Sequence, residues 1–184
     1  MDAPSIKEVN LLAEPVAEQD HAVGPVNAPV TIVEYGDYEC PDCLNAVPIM
    51  EEVRQRLGDR LRLVFRHFPQ NSIHPHASVA AEAAEAAAEQ GKFWEMHAAL
   101  FQHQKELAEI DLSHLALTLG LEIYKFELGR SREQHRRRIR ADFEGGVRSG
   151  VNRTPTFFIN GRRYDGPVDA KAIIAATRSA SQQR

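Results

Sequence analysis

Cys40 and Cys43 are the only cysteines in the 184-residue chain, and they stand two residues apart in Cys40-Pro41-Asp42-Cys43. A disulfide between them would close a tiny loop and add little stability. A framework that staples a small secreted domain needs more cysteines, placed farther apart. The spacing suits thiol–disulfide exchange instead, in which one thiolate attacks a disulfide and a second thiol nearby resolves the mixed disulfide. Cys40 falls where a helix should begin, and free N–H groups and the macrodipole there favour an anion and lower a thiol pKa. Two other readings stay open. The pair could be ordinary core cysteines or half of a zinc site. Zinc needs two more ligands, and among eight histidines only His74 and His76 form a close pair, stiffened by Pro75.

Thr154-Pro155 is the second chemical feature, placed just before a stretch with strand character. A cis X–Pro bond occurs in only about one case in twenty. Beside a redox pair, a cis-proline turn would hold a backbone edge open for an extended substrate chain. A trans proline that opens a strand is the alternative.

The elements that must position these residues follow from the pattern. Val30–Tyr35 reads as a central strand with apolar residues on both faces. Glu34 falls on the face of Val30 and Ile32, a poor place for a carboxylate without a role. Pro41 to Leu57 turns helical, with Val47, Met50, Val53 and Leu57 at three- and four-residue steps, Pro41 at the first turn, and Gly58 as a stop. Pro48 lies inside that helix and should kink it. Leu61–Phe65 predicts a second strand, parallel to the first. Helices are predicted over Ala77–Gln90, Lys92–Gln104 and Leu112–Leu119, then a turn through Glu122–Leu128, and a last helix opened by a capping box of Ser131 and Gln134. Thr156–Ile159 and Arg162–Tyr164 read as a hairpin around Asn160-Gly161. Asp169 caps a terminal amphipathic helix. Residues 1–24 read as an extended arm, with one short strand near Val9–Leu12.

Composition narrows the function classes. The 43% hydrophobic content can fill a core, and a net charge of -4 offers no global attraction to nucleic acid or acidic membrane surfaces. No apolar run approaches the roughly 18–20 residues that a membrane span needs. Met1–Gly24 lacks the continuous apolar run of a secretory signal. The expectation is a cytoplasmic protein, or a periplasmic one if a leader precedes this sequence.

The stretch from Val30 through Cys43, the later Thr154-Pro155 and the helical block between them resemble the DsbA-like thioredoxin-fold family, over roughly residues 24–177. The resemblance implies an α/β thioredoxin fold with an inserted α-helical domain: arm 1–24, thioredoxin-like domain 25–72 and 144–184, insertion 73–143. Pro48 matches the family's helix-kinking proline, Pro155 its cis-proline, and Glu34 its acidic residue six positions before the first cysteine. By that match Cys40 attacks, Cys43 resolves, Glu34 takes the Cys43 proton, and Thr154 and Pro155 present the substrate backbone. The implied partners are protein or peptide disulfides and dithiols and a thiol redox partner, with no metal, organic cofactor, nucleic acid or membrane insertion. The sequence departs from strongly oxidising DsbA proteins in carrying Asp42 where they carry histidine. A negative charge there, with Glu39 and Asp37, should oppose the Cys40 thiolate. A potential below DsbA's roughly -120 mV and closer to thioredoxin's roughly -270 mV is expected.

Rival functions are a peroxide- or glutathione-linked reductase on the same dithiol, a chaperone-like module with regulatory cysteines, and a zinc-binding protein. Cys40→Ser abolishes exchange but spares chaperone binding. The six arginines between Arg130 and Arg140 read as a solvated helix face, and Phe93, Trp94, Met96, Leu100 and Phe101 as helix-packing core. Tyr38, two residues before Cys40, could line the mouth of the site.

Overall fold

The computed structural model describes residues 10–107 and 110–181, with side chains described through position 178. Strands β1 (His21–Val23), β2 (Val30–Gly36), β3 (Leu61–His67), β4 (Thr156–Ile159) and β5 (Arg162–Tyr164) form one sheet in the order β1-β3-β2-β4-β5. The β2/β3 pair is parallel and the other pairs are antiparallel. Helix α1 (Pro41–Leu57) supplies the right-handed crossover that a parallel pair requires. Between β3 and β4 run α2 (Ala77–Ala88), α3 (Phe93–Gln102), α4 (Leu112–Thr118), α5 (Ile123–Arg130) and α6 (Glu133–Arg148), and α7 (Ala170–Ser181) closes the described chain. The architecture is a thioredoxin fold with a helical insertion.

Both faces of the central strands are covered, which is why β2 reads as apolar throughout. On one face Val30, Ile32, Leu63 and Ile159 pack against Met50 and Val53 of α1 and Ile173 of α7. On the other, Val33, Tyr35, Val64 and Phe158 meet Phe68 and Phe143. The third cluster joins the alanine-rich face of α2 to Met96, Leu100 and Phe126, and it reaches Tyr38, Cys40, Cys43 and Phe65. Alanine along α2 lets α3 and α5 approach closely, and their packing excludes water behind the cysteine pair. The hairpin has Asn160 at φ 48° and Gly161 at φ 79°, as a type I′ turn demands.

Several local expectations are corrected. The arm is built into the fold: residues 21–23 form an edge strand, and Glu14, Pro15 and Asp20 are tied to Arg66. Its guanidinium bonds both Asp20 carboxylate oxygens at 2.9 Å, the Glu14 and Pro15 carbonyls and the Tyr35 hydroxyl. The strand expected near Val9–Leu12 begins outside the described residues. Within them, Leu11 makes only an isolated bridge to Arg162. The turn expected through Glu122–Leu128 is helix α5, whose Phe126 is fully buried. Ser131 forms no capping box, because α6 starts after Arg132 and the Ser131 hydroxyl donates to Leu128 O. The arginine-rich face is not purely solvated: Arg136 pairs with Glu82 of α2 and Arg132 with Glu89 just past its end, and Arg138 turns inward to Glu85.

Candidate active site

Cys40 is the N-cap of α1, with Pro41 at the first helical position where a missing N–H is harmless. Its Sγ lies 3.3 Å from the Thr154 carbonyl oxygen, across a sequence separation of 114 residues. The Thr154–Pro155 peptide is cis. The pKa of Cys40 falls from 9.0 to about 6. The Cys43 thiol contributes most, and Thr154 and the N–H groups of Cys43 and Asp42 add to it against the opposing effect of burial. The thiolate is therefore favoured despite the acidic residues around it. Asp42 is exposed in the first turn. Asp37 accepts bonds from Glu39 N, Gln70 N and His74 Nδ1, and Glu39 from His76 N and Nδ1.

Cys43, one turn deeper, is fully buried and accepts a bond from Asp37 N at 3.4 Å. Burial, the bond with Cys40 and the neighbouring Glu34 charge push its thiol well above the ordinary range. The two sulphurs are thus sharply unlike: one poised as a thiolate near neutrality, the other held protonated. Glu34 lies behind them in β2, 7% exposed, and burial followed by the Cys40 charge raises its carboxyl from 4.5 to about 8. It lines an apolar cleft of about 470 Å³ with Val47, Met50, Phe65, Trp94 and His97. The structure thus brings Cys40, Thr154 and Pro155 to one surface and sets Cys43 and Glu34 beneath it.

Residues that spacing did not single out hold this geometry. Asp37 bonds Gln70 N at 2.8 Å, and the Thr154 hydroxyl donates to Gln70 Oε1 at 3.1 Å, so one loop residue joins the cysteine loop to the proline loop. Gln104, buried in the insertion, donates to Tyr38 O at 2.9 Å and Cys40 O at 2.8 Å. Tyr38 does not line the mouth. It is buried beneath the site, with its hydroxyl 3.2 Å from His97 Nδ1 and its ring against Phe65 and Phe101. His74 and His76 bond Asp37 and Glu39 and point to no shared ion. A shallow cleft of about 330 Å³ runs beside the thiolate, lined by Asp42, Asn45, Ile49, Arg153, Pro155 and Val168.

A family model described as thioredoxin matches residues 16–177. The chain is 46% identical, over 174 residues, to a protein named Na(+)/H(+) antiporter NhaA 3 from Salinispora tropica, covering 94% of this chain and 26% of that protein. It therefore spans about a quarter of the length of the relatives it matches in this group. Among solved structures, oxidised BdbD from Bacillus subtilis superposes with a TM-score of 0.80 at 21% identity, covering 94% of this chain and 98% of BdbD. The structure of alpha-DsbA1 from Wolbachia pipientis gives 0.77 at 18% identity, covering 91% and 94%. At these identities the structural likeness concerns the fold.

Proposed function

Because the chain belongs to the thioredoxin family, with a DsbA-like helical block set into the core, we propose that it exchanges a Cys40–Cys43 dithiol with disulfides of protein or peptide substrates. The observation that carries the reading is the Cys40 sulphur at a helix N-terminus, with a lowered pKa and 3.3 Å from Thr154 O beside the cis peptide. In the reducing direction the Cys40 thiolate attacks a substrate sulphur. The substrate S–S bond breaks, a mixed disulfide forms, and the leaving thiolate takes a proton. Cys43 then passes its proton towards Glu34 and attacks Cys40 Sγ, which releases the second substrate thiolate and leaves a Cys40–Cys43 disulfide. Thr154 and Pro155 offer the substrate backbone an open edge. No step calls for a metal or an organic cofactor.

The reading includes a potential more reducing than DsbA. A thiolate stabilises the reduced form, and a Cys40 pKa of about 6 lies between roughly 3.5 for DsbA and 7 for thioredoxin. At about 30 mV per tenfold change in the equilibrium, scaling from those two proteins at pH 7 gives about -250 to -190 mV. The antiporter name belongs to a relative of which this chain matches 26%. What is proposed here rests on the thiol chemistry of the matched part alone. Among the described residues no helix is long and apolar enough to cross a membrane.

The test pairs a redox titration with trapping. Cys43→Ala should accumulate a stable Cys40–substrate disulfide, Cys40→Ala should accumulate none, and the wild-type pair should titrate inside the stated window. A pair that titrates near -120 mV overturns the reducing assignment. A Cys43→Ala protein that traps no disulfide-containing substrate overturns the function.

A further inference from the structure

On the far side of Tyr38 from the cysteines, three elements distant in sequence converge on one carboxylate oxygen. His21 Nε2 from β1 lies 2.6 Å from Glu85 Oε1 of α2, and His67 Nε2 from the end of β3 lies 2.9 Å from the same oxygen. His67 and Glu85 are almost fully buried, with side chains 1% and 5% exposed, and His21 is 13% exposed. Among the described residues, these are the one group of three such side chains whose ligating atoms lie within 4.8 Å of one another. None of them takes part in the proposed thiol chemistry.

We infer that His21, His67 and Glu85 form a binding site for a divalent transition-metal ion of the zinc class. Two imidazoles and one carboxylate, with a fourth position left for water, are a donor set that zinc uses. A tetrahedral ion with ligands at about 2.0–2.1 Å holds its donors about 3.3 Å apart, so each histidine nitrogen draws back from the Glu85 oxygen by about 0.4–0.7 Å as the ion enters. The His21 ring is held by its stack on Phe93, with centroids 3.6 Å apart and planes 8° from parallel, and the His67 backbone N–H is anchored on Asp142 Oδ2. Glu85 also lines a cleft of about 550 Å³ in which five carboxylates face three arginines, a net attraction for a cation beside the site.

Arg138 is the competitor. Its Nε lies 3.0 Å from the same Glu85 oxygen, yet it is a buried nitrogen with no aligned hydrogen bond. Its side chain is 21% exposed and borders the cleft, so it can withdraw as the ion enters. The site would join β1, β3 and α2, linking the first strand to the helical insertion.

The test uses the untagged full chain with Cys40→Ser and Cys43→Ser, which removes the thiols as ligands. Equilibrium dialysis should give one Zn²⁺ per chain, and Co²⁺ should show visible absorption of a tetrahedral nitrogen–oxygen site. His21→Ala should weaken binding by at least 100-fold, and Glu85→Gln should do the same. His103→Ala, at a half-buried histidine elsewhere that pairs with Glu106, should leave it unchanged. Arg138→Leu should tighten it, because a competing cation is gone. If Glu85→Gln fails to fold, His21→Ala on the edge strand decides. The absence of stoichiometric zinc, or equal affinity in the His21→Ala and His103→Ala proteins, overturns the assignment.

Discussion

Replacing Glu34 by glutamine should make the reduced protein more stable, by an amount set by pH. Burial, then the Cys40 charge, raises this carboxyl from 4.5 to about 8 in the folded chain. Between those values the folded protein holds a proton that the unfolded chain has released. The Glu34 contribution to stability is therefore greatest below pH 4.5, falls as pH rises through this window, and levels off above about 8. The slope approaches about 1.4 kcal/mol per pH unit, so the loss reaches about 3 kcal/mol at pH 7 and about 4 kcal/mol at pH 8. Glutamine cannot ionise and escapes that loss. Near pH 4.5 it closely resembles the protonated acid, so the comparison there isolates the charge. Urea unfolding of the two proteins in excess reductant, at pH 5 and pH 8, measures the gap. It should be about 1 kcal/mol at the lower pH and about 4 kcal/mol at the higher, and smaller in the oxidised protein, which lacks the Cys40 thiolate. An equal gap at both pH values would refute a buried, protonated Glu34. The same substitution should slow release of the mixed disulfide, and unchanged resolution rates across neutral pH would remove Glu34 from the proton path.

Three further outcomes are expected. Asp42→His should raise the potential by tens of millivolts, at about 30 mV per tenfold change in the equilibrium, as glutathione titration will show; no rise, or a fall, counts against an electrostatic role for this position. Gln104→Leu leaves Tyr38 O and Cys40 O without their donor and should destabilise the protein by about 1–3 kcal/mol, measured by urea unfolding. Gly146→Ala places a Cβ 2.7 Å from the Phe68 ring and 3.0 Å from Tyr35, and overpacking there should destabilise by about 1–3 kcal/mol. Gly145→Ala meets its nearest atom, in the flexible Glu14 side chain, at 3.2 Å, and should be close to neutral when both variants are compared by urea unfolding.

The cysteine helix was legible because its signals are local: a proline at the first turn, apolar residues at helical steps and a closing glycine all lie within Pro41–Gly58. Strands β2 and β4 were legible for the same reason. Helix α5 was not, since eight residues with a glycine near the end carry too little periodicity to outweigh a turn. Strand β1 is three residues long and becomes a strand only by pairing with Leu63–Phe65. Tyr38 has an aromatic ring and a hydroxyl, which suit a rim or a core equally, and the insertion decides for the core. The polar residues that hold the site were hidden for a related reason. Gln70 and Gln104 are ordinary in isolation, and their partners lie 33 to 84 positions away. Side-chain bonds over such separations leave no periodic trace.

The placement of the insertion also sets a clock. β2 ends at Gly36, and its antiparallel neighbour β4 starts at Thr156, 120 positions later. At about 5–20 residues per second, a ribosome needs about 6–24 s to make the intervening chain. Through that interval one edge of β2 lacks its neighbour and the Cys40 sulphur lacks Thr154 O. The dithiol helix thus exists as a nascent chain well before the loop that is to face it. In those seconds its thiols stand without the cleft that later lies beside them.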